Sequence, residues 1–130
     1  MTFAVYEDYP PYSWEEKGKP TGIDVEIAKI IAEYVGVDAR FNFVAAGENL
    51  DADLHNNVWK GPLIGGAVSN VMMRVPYDSA YSCRVEQVVF TGQYMSESIA
   101  IAYATDEYPD GGPVPAYFRV DTVAVENDSI

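Results

Sequence analysis

The sequence predicts an α/β fold in which a mostly parallel sheet is flanked by helices, and three observations carry this prediction. Short apolar runs of strand length recur along the chain. A pattern of helical period separates the first two runs, with short connections on either side, which favours a right-handed parallel strand, helix, strand unit. The 130 residues are 48% hydrophobic, which suits a single soluble domain with one core.

The first strand is predicted at residues 3–6, a short apolar run that ends at Glu7 and Asp8. The next segment, Tyr-Pro-Pro-Tyr at residues 9–12, is expected to be extended or turning. Each proline fixes its own φ and moves the residue before it away from the helical region.

A helix is predicted from Ile23, because Ile27, Ile30, Ile31 and Tyr34 recur at helical spacing. Thr21 is expected to cap the helix together with Asp24, three positions further on. Gly36 suits its end.

The later elements are predicted from shorter patterns. Residues 40–44 alternate as a half-buried strand does, and Leu50, Leu54 and Val58 share one face of a short helix that Gly61-Pro62 ends. Further strands are expected at residues 71–75, 98–104 and 121–126, and turn-forming residues at 105–115 indicate a linker.

This layout predicts the position of a binding site. In open α/β sheets, ligands bind beyond the carboxyl ends of the strands. The loop after the first strand offers carboxylates for a cation and flat aromatic surfaces for apolar or cation-π contacts. These residues are Glu7, Asp8, Tyr9, Tyr12 and Trp14.

Arg84 follows the strand at residues 71–75 and offers a planar fork for a carboxylate. Acids, aromatic rings and an arginine at one edge would form a pocket for a small zwitterion such as an amino acid. The alternative is purely structural: the tyrosines and prolines close a hairpin over the core, and Arg84 pairs with a surface acid.

Composition excludes several classes of function. The chain has 20 acidic and 8 basic residues, a formal charge of −12, which opposes nucleic acid and anionic membranes as partners. No apolar run has the length of a membrane span. The N-terminus has no signal-peptide pattern, so the chain is expected to be cytosolic or to have lost its signal.

No cofactor, metal site or catalytic group is predicted. The single cysteine, Cys83, excludes an internal disulfide and a multi-cysteine metal site. His55 is the one histidine and has no partner of a known catalytic signature. Asp51 and Asp53 lack the framework of a calcium loop and are interpreted as part of a solvated turn.

Two segments carry a resemblance to a known family. "YPPYSWEEKGKPTGIDVEIAKIIAEYVGV", residues 9–37, resembles the opening of the family 3 solute-binding proteins, the amino-acid-binding components of ABC transporters. "RVEQVVFTGQY", residues 84–94, is similar to a later segment of the same family. The resemblance covers residues 3–104 and extends more weakly to the strand at 121–126.

The resemblance implies the fold of a periplasmic binding protein type II lobe, with three layers. Residues 1–104 would form the first lobe of a two-lobed clamshell, and residues 105–130 a linker and the first strand of an incomplete second lobe. The chain would then be a fragment or a truncated product. The family implies a periplasmic location, binding of a small ligand without catalysis, and delivery of that ligand to a membrane permease.

The resemblance also implies roles for single residues. Tyr9 would be the stacking aromatic, Asp8 would lie near the ammonium group or polar side chain, and Arg84 would bind the α-carboxylate. The segment before Arg84, "RVPYDSAYSC", departs from the threonine-rich turn of the family, so Arg74 competes for the carboxylate role.

Two alternative functions remain open at this stage. The stretches "NNVWKG" and "NVMMRVPYD" resemble a divergent branch of the family, some of whose members accompany quinoprotein alcohol dehydrogenases. This resemblance implies an accessory module that docks a periplasmic redox enzyme. A dehydratase-like enzyme on the same fold would use Asp8 or Glu7 as general acid or base.

Overall fold

The computed structural model describes residues 1–98, 100–109, 111–112, 122 and 124. The elements follow in the order β1 (Thr2–Tyr6), β2 (Trp14–Glu16), β3 (Lys19–Thr21), α1 (Ile23–Val35), β4 (Arg40–Val44), α2 (Leu50–Leu54), a single π-helical turn (His55–Trp59), β5 (Val71–Met72) and α3 (Ser79–Arg84). The predicted α/β class is confirmed.

The central sheet has three parallel strands in the order β4-β1-β5. Phe3 of β1 pairs with Phe41 of β4 on one side and with Val71 of β5 on the other. Because all three strands run the same way, their carboxyl ends share one edge of the sheet. β2 and β3 form a separate antiparallel hairpin.

Helices cover the sheet, and β1 is buried along most of its length. Phe3 and Val5 pack with Ala28 and Ala32 of α1 in the main hydrophobic cluster, which Met73 completes. Side chains alternate between the faces of a strand, so Ala4 and Tyr6 point to the opposite face and are buried there. The parallel sheet flanked by helices that the sequence predicted is therefore observed.

Helix α1 lies where the sequence predicts it, and of the four apolar positions that indicate its period, Ile27 packs against the core. The buried positions are Asp24, Val25, Ala28 and Ala32. Ile30 is 65% exposed and Tyr34 93% exposed. The large apolar side chains established the helical period, whereas the small alanines allow the close approach to β1.

Thr21 does not cap α1, which corrects the predicted helix start. The N-cap is Gly22, which makes no side-chain hydrogen bond, and the Thr21 hydroxyl donates to the Lys19 carbonyl instead. Gly36 ends the helix as predicted, in a left-handed conformation with φ 79°.

The later elements are shorter than predicted or differ in type. The helix at residues 50–54 is α-helical and continues as the π-turn, in which the Lys60 and Gly61 amides both donate to the His55 carbonyl. The strand predicted at 71–75 ends at Met72. Helix α3 occupies a segment for which no element was predicted, with the Asp78 side chain accepting from the Tyr81 amide at its start.

The two remaining strand predictions fall in the last part of the chain. Residues 100–104 are described and form no strand; they are exposed, and a strand needs backbone partners along its length. The strand predicted at 121–126 lies outside the described residues apart from 122 and 124.

The chain divides into two compact units, Met1–Gly92 and Gln93–Ser129. The first unit contains all the helices and strands identified in the described residues. No helix in the described part of the chain is long and apolar enough to cross a membrane.

Candidate functional site

The candidate site lies where the carboxyl ends of the three parallel strands meet. A loop at residues 7–13 follows β1, residues 45–49 connect β4 to α2, and Arg74 follows β5 by two residues. The Glu7 amide donates to the Val44 carbonyl, and the Met73 amide donates to the Ala4 carbonyl. The first bond holds the start of the loop at residues 7–13 beside the end of β4, and the second holds the residue before Arg74 beside β1.

The loop after β1 is held closed by its own backbone. The Tyr9 amide donates to the Ser13 carbonyl at 2.8 Å, and the Ser13 amide donates to the Tyr9 carbonyl at 2.9 Å. The buried Ser13 hydroxyl donates to the Tyr6 carbonyl at 2.6 Å and ties the loop to the end of β1. The rings of Tyr9 and Tyr12 therefore stand side by side, with centroids 5.5 Å apart.

The same loop begins helix α1. The Pro11 and Tyr12 carbonyls accept from the Ile23 and Asp24 amides at 3.1 and 3.0 Å. These carbonyls accept hydrogen bonds from amides that a capping side chain would otherwise accept from, which explains why the Thr21 side chain does not cap the helix. Gly22 permits the approach, since a Cβ there would lie 2.1 Å from the Tyr12 carbonyl oxygen.

Arg74 lies against the tyrosines of this loop. Its guanidinium carbon is 3.4 Å from the centroid of the Tyr12 ring and 5.1 Å from that of Tyr9. Both distances are within the range of cation-π attraction. A guanidinium keeps its N–H bonds in its own plane, so the contact with the rings is made by its face and not by these bonds.

A buried hydrogen-bond network lies beside the rings of Tyr9 and Tyr12, the aromatic pair. The Tyr6 hydroxyl donates to Asp53 Oδ2 at 2.7 Å, and the Gly47 amide donates to Asp53 Oδ1 at 2.8 Å. Burial raises the pKa of Tyr6 far above its ordinary value, and the Asp53 carboxylate adds to the rise. The Tyr6 ring contacts the Tyr9 ring edge-on, with ring centroids 6.4 Å apart. The network therefore packs against the loop at residues 7–13, called the aromatic loop below.

A second network joins α2 to α3. The Tyr81 hydroxyl donates to Asp51 Oδ1 at 2.7 Å, and Arg84 Nη2 lies 3.9 Å from the same oxygen. The Arg84 guanidinium is 5.1 Å from the centre of the Tyr81 ring. Partial burial and the hydrogen bond to Asp51 raise the pKa of Tyr81 above its ordinary value, which Arg84 partly opposes.

The structure brings together some of the predicted site residues and separates others. Tyr9, Tyr12 and Arg74 form one cluster. Arg84 is 68% exposed and belongs to the Asp51 network, which is the surface ion pair that the alternative reading of the sequence anticipates. Trp14 lies in β2 opposite Thr21 and is half-buried.

The two acids of the predicted site lie at the surface. Glu7 and Asp8 directly follow β1 and are exposed. Asp8 has a φ of 49°, the left-handed conformation of a tight turn, which aspartate tolerates better than most residues.

Sequence reasoning missed Tyr6 and Asp53. Asp53 was interpreted as part of a solvated turn, yet it is 5% exposed. That interpretation considered calcium-loop spacing and not the buried partner. Two features of the sequence could have indicated this pair. Asp53 lies next to Leu54 in a short helix that has to pack on the core, and Tyr6 is the last residue of a buried strand.

The acids do not assemble into a metal centre. In the described residues, no group of three or more histidine, cysteine, aspartate or glutamate side chains could hold a metal ion.

Residues 1–58 match the family model of bacterial extracellular solute-binding proteins, family 3. The match covers β1, the aromatic loop, α1, β4 and α2. Over these residues it confirms the resemblance carried by the first of the two sequence segments, and the second segment lies outside the match. No curated protein and no solved structure matched the chain.

Proposed function

We propose that this chain, a family 3 solute-binding protein over its matched residues 1–58, binds a small carboxylate such as an amino acid between the aromatic loop and Arg74. The ligand would then be delivered to the membrane permease of an ABC-type uptake system outside the cytoplasm. Within this proposal, residues 1–104 form one lobe of the binding protein and residues 105–130 lead into the second.

The contact of Arg74 with Tyr12 carries the proposal. A guanidinium over an aromatic ring at 3.4 Å is held in one orientation, and less conformational entropy is lost when a ligand binds it. Arg74 is half-buried, whereas Arg84 is mostly exposed. A half-buried arginine favours a carboxylate more than an exposed one does, because water screens it less.

The position in the fold supports the same assignment. Tyr9 and Tyr12 follow β1, and Arg74 follows the adjacent strand β5. Ligands of open α/β sheets bind at this edge, where neighbouring strands send their connections in different directions.

The proposal is tested by calorimetric titration of alanine, glutamate, arginine and propionate into the wild-type chain and two variants. Arg74→Asn should weaken binding of the ligand that titrates by about 2 to 5 kcal/mol, since a carboxylate loses its charged partner. Asparagine is suitable because residue 74 has a φ of 61°, a conformation that asparagine adopts readily.

The matched control is Arg84→Asn. This change removes a mostly exposed charge and should alter the affinity by about 1 kcal/mol or less. A large loss with Arg84→Asn and none with Arg74→Asn would return the carboxylate role to Arg84. If neither variant changes the affinity, the ligand does not bind at this edge of the sheet.

A further inference from the structure

Arg74 occupies the aromatic pair as a cation would. The Tyr9 and Tyr12 rings stand 5.5 Å apart, inclined by 31°, and together they present the kind of surface on which ligand ammonium groups bind. The guanidinium carbon of Arg74 lies over Tyr12 and within 5.1 Å of the Tyr9 centroid. The protein's own side chain therefore fills a cation-binding position beside the ligand site.

The backbone holds Arg74 there. Residue 73 is fixed to β1 by the hydrogen bond from its amide to the Ala4 carbonyl at 3.0 Å, and Met73 is buried. Arg74 follows in the left-handed conformation, with a φ of 61°, which is uncommon for a residue with a long side chain. Such a conformation persists where the surroundings determine it, and here it accompanies the side-chain contact with the two rings.

We propose that Arg74 acts as a built-in cation at this site: its guanidinium occupies the faces of Tyr9 and Tyr12 and keeps the cationic groups of ligands from these rings. The inference rests on the proposed function and specifies its ligand class. An ammonium group that approached the rings would have to displace the guanidinium or share the rings with it, and two cations at one site repel. An amine of the ligand, where it has one, therefore does not bind to these rings.

The inference predicts a gain of binding when Arg74 is removed. Tetramethylammonium chloride serves as the probe, because it binds aromatic rings through its charge and donates no hydrogen bond. It is titrated into ¹⁵N-labelled chain against sodium chloride of equal concentration, and backbone and ring resonances are followed by NMR. Arg74→Gly is the test variant, since glycine suits the positive φ.

The expected result is that Arg74→Gly binds tetramethylammonium at least about tenfold more tightly than the wild-type chain, with shifts at residues 9–13. The double variant Arg74→Gly/Tyr12→Leu should lose this gain, and Arg84→Gly should show none. Circular dichroism verifies that the variants fold, and Arg74→Asn provides a second substitution of the same position. Equal binding by wild-type and Arg74→Gly would overturn the inference, and so would the absence of binding by both.

The same samples separate this inference from the proposed function. Carboxylate binding that depends on Arg74, without a gain of tetramethylammonium binding, would retain the proposed function and overturn the inference. A gain of tetramethylammonium binding without carboxylate binding by the wild-type chain would support Arg74 as a built-in cation and overturn the proposed function, together with the ligand class assigned from it.

Discussion

At the scale of single residues, the pair of Tyr6 and Asp53 links the core of the sheet to the candidate site. Tyr6 is the last residue of β1 and donates to a carboxylate that is almost fully buried. A buried carboxylate is costly unless its oxygens are hydrogen-bonded, and Asp53 receives one bond from a side chain and one from the Gly47 amide. The pair therefore fixes α2 and the base of the aromatic loop together.

Removing the Tyr6 hydroxyl should destabilise the protein. We expect Tyr6→Phe to lower the free energy of unfolding by about 1.5 to 3 kcal/mol at pH 8, the usual range for a hydrogen bond to a charged group. The pKa of Tyr6 is raised in the folded state, so its contribution is complete below pH ~10 and falls as the pH rises further. Urea unfolding between pH 8 and 11 should therefore show a weaker alkaline loss of stability in Tyr6→Phe.

Tyr34→Phe is the matched control, because the Tyr34 side chain is 93% exposed. This variant should unfold at the wild-type urea concentration at pH 8, within about 0.5 kcal/mol. If Tyr6→Phe keeps the full alkaline dependence of the wild type, the Tyr6 and Asp53 pair is not the source of that dependence.

At the scale of elements, the aromatic loop has two roles that depend on the same residue. The Tyr12 carbonyl accepts from the Asp24 amide at the start of α1, while the Tyr12 ring lies under Arg74. The helix start and the ring position are therefore coupled. A change that moves the Tyr12 backbone should affect both.

Gly22→Ala tests this coupling. The added Cβ would lie 2.1 Å from the Tyr12 oxygen, at a φ of 123°, so the loop must move. We expect a loss of about 3 kcal/mol or more in the free energy of unfolding by urea, from overpacking together with the left-handed conformation. The carboxylate affinity should fall as well.

Gly18→Ala provides the comparison for Gly22→Ala. Gly18 also has a positive φ, 75°, but nothing lies within 4 Å of the added Cβ. Its cost should be about 1 to 2 kcal/mol, without an effect on ligand affinity. Equal costs for the two changes would mean that the contact between Gly22 and Tyr12 has no energetic role.

Helix α1 presents two apolar faces that should respond differently to substitution. Ala28 is fully buried against β1, so Ala28→Leu should overpack the core and lower the free energy of unfolding by about 1 to 3 kcal/mol. Ile30 is 65% exposed, and Ile30→Ala should change the free energy of unfolding by about 0.5 kcal/mol or less. Urea unfolding of the two variants measures the difference, and a core-sized loss with Ile30→Ala would contradict the exposed position of this side chain.

At the scale of the whole molecule, the chain is strongly acidic, whereas the side chain that lies on the Tyr9 and Tyr12 rings is basic. The chain carries −12, yet the side chain that contacts Tyr9 and Tyr12 is an arginine, one of only 8 basic residues. Overall acidity therefore says little about the ligand, because the interaction at a half-buried site is set by the charges nearest to it.

Much of the fold could be predicted from local patterns. The run at residues 3–6, the helical period from Ile23 and the alternation at 40–44 identified β1, α1 and β4, because each pattern reflects a backbone period of its own. The end of α1 at Gly36 was also predictable, since a left-handed residue there favours glycine. Helix α3 was not predictable, because it is too short to show a period, and the strand predicted at 71–75 is observed only as the two residues of β5.

The sequence by itself determined the α/β class, the first parallel unit, the resemblance of residues 1–58 to one family and the edge of the sheet at which the aromatic loop lies. Only the tertiary structure decided which face of α1 is buried, that the Pro11 and Tyr12 carbonyls begin this helix, and that Asp53 is paired with Tyr6. It also separated the two arginines, placing Arg74 on Tyr12 and Arg84 beside Asp51. The reason is physical: periodicity and turn chemistry act between neighbours in the chain, whereas burial and charge pairing depend on residues tens of positions apart.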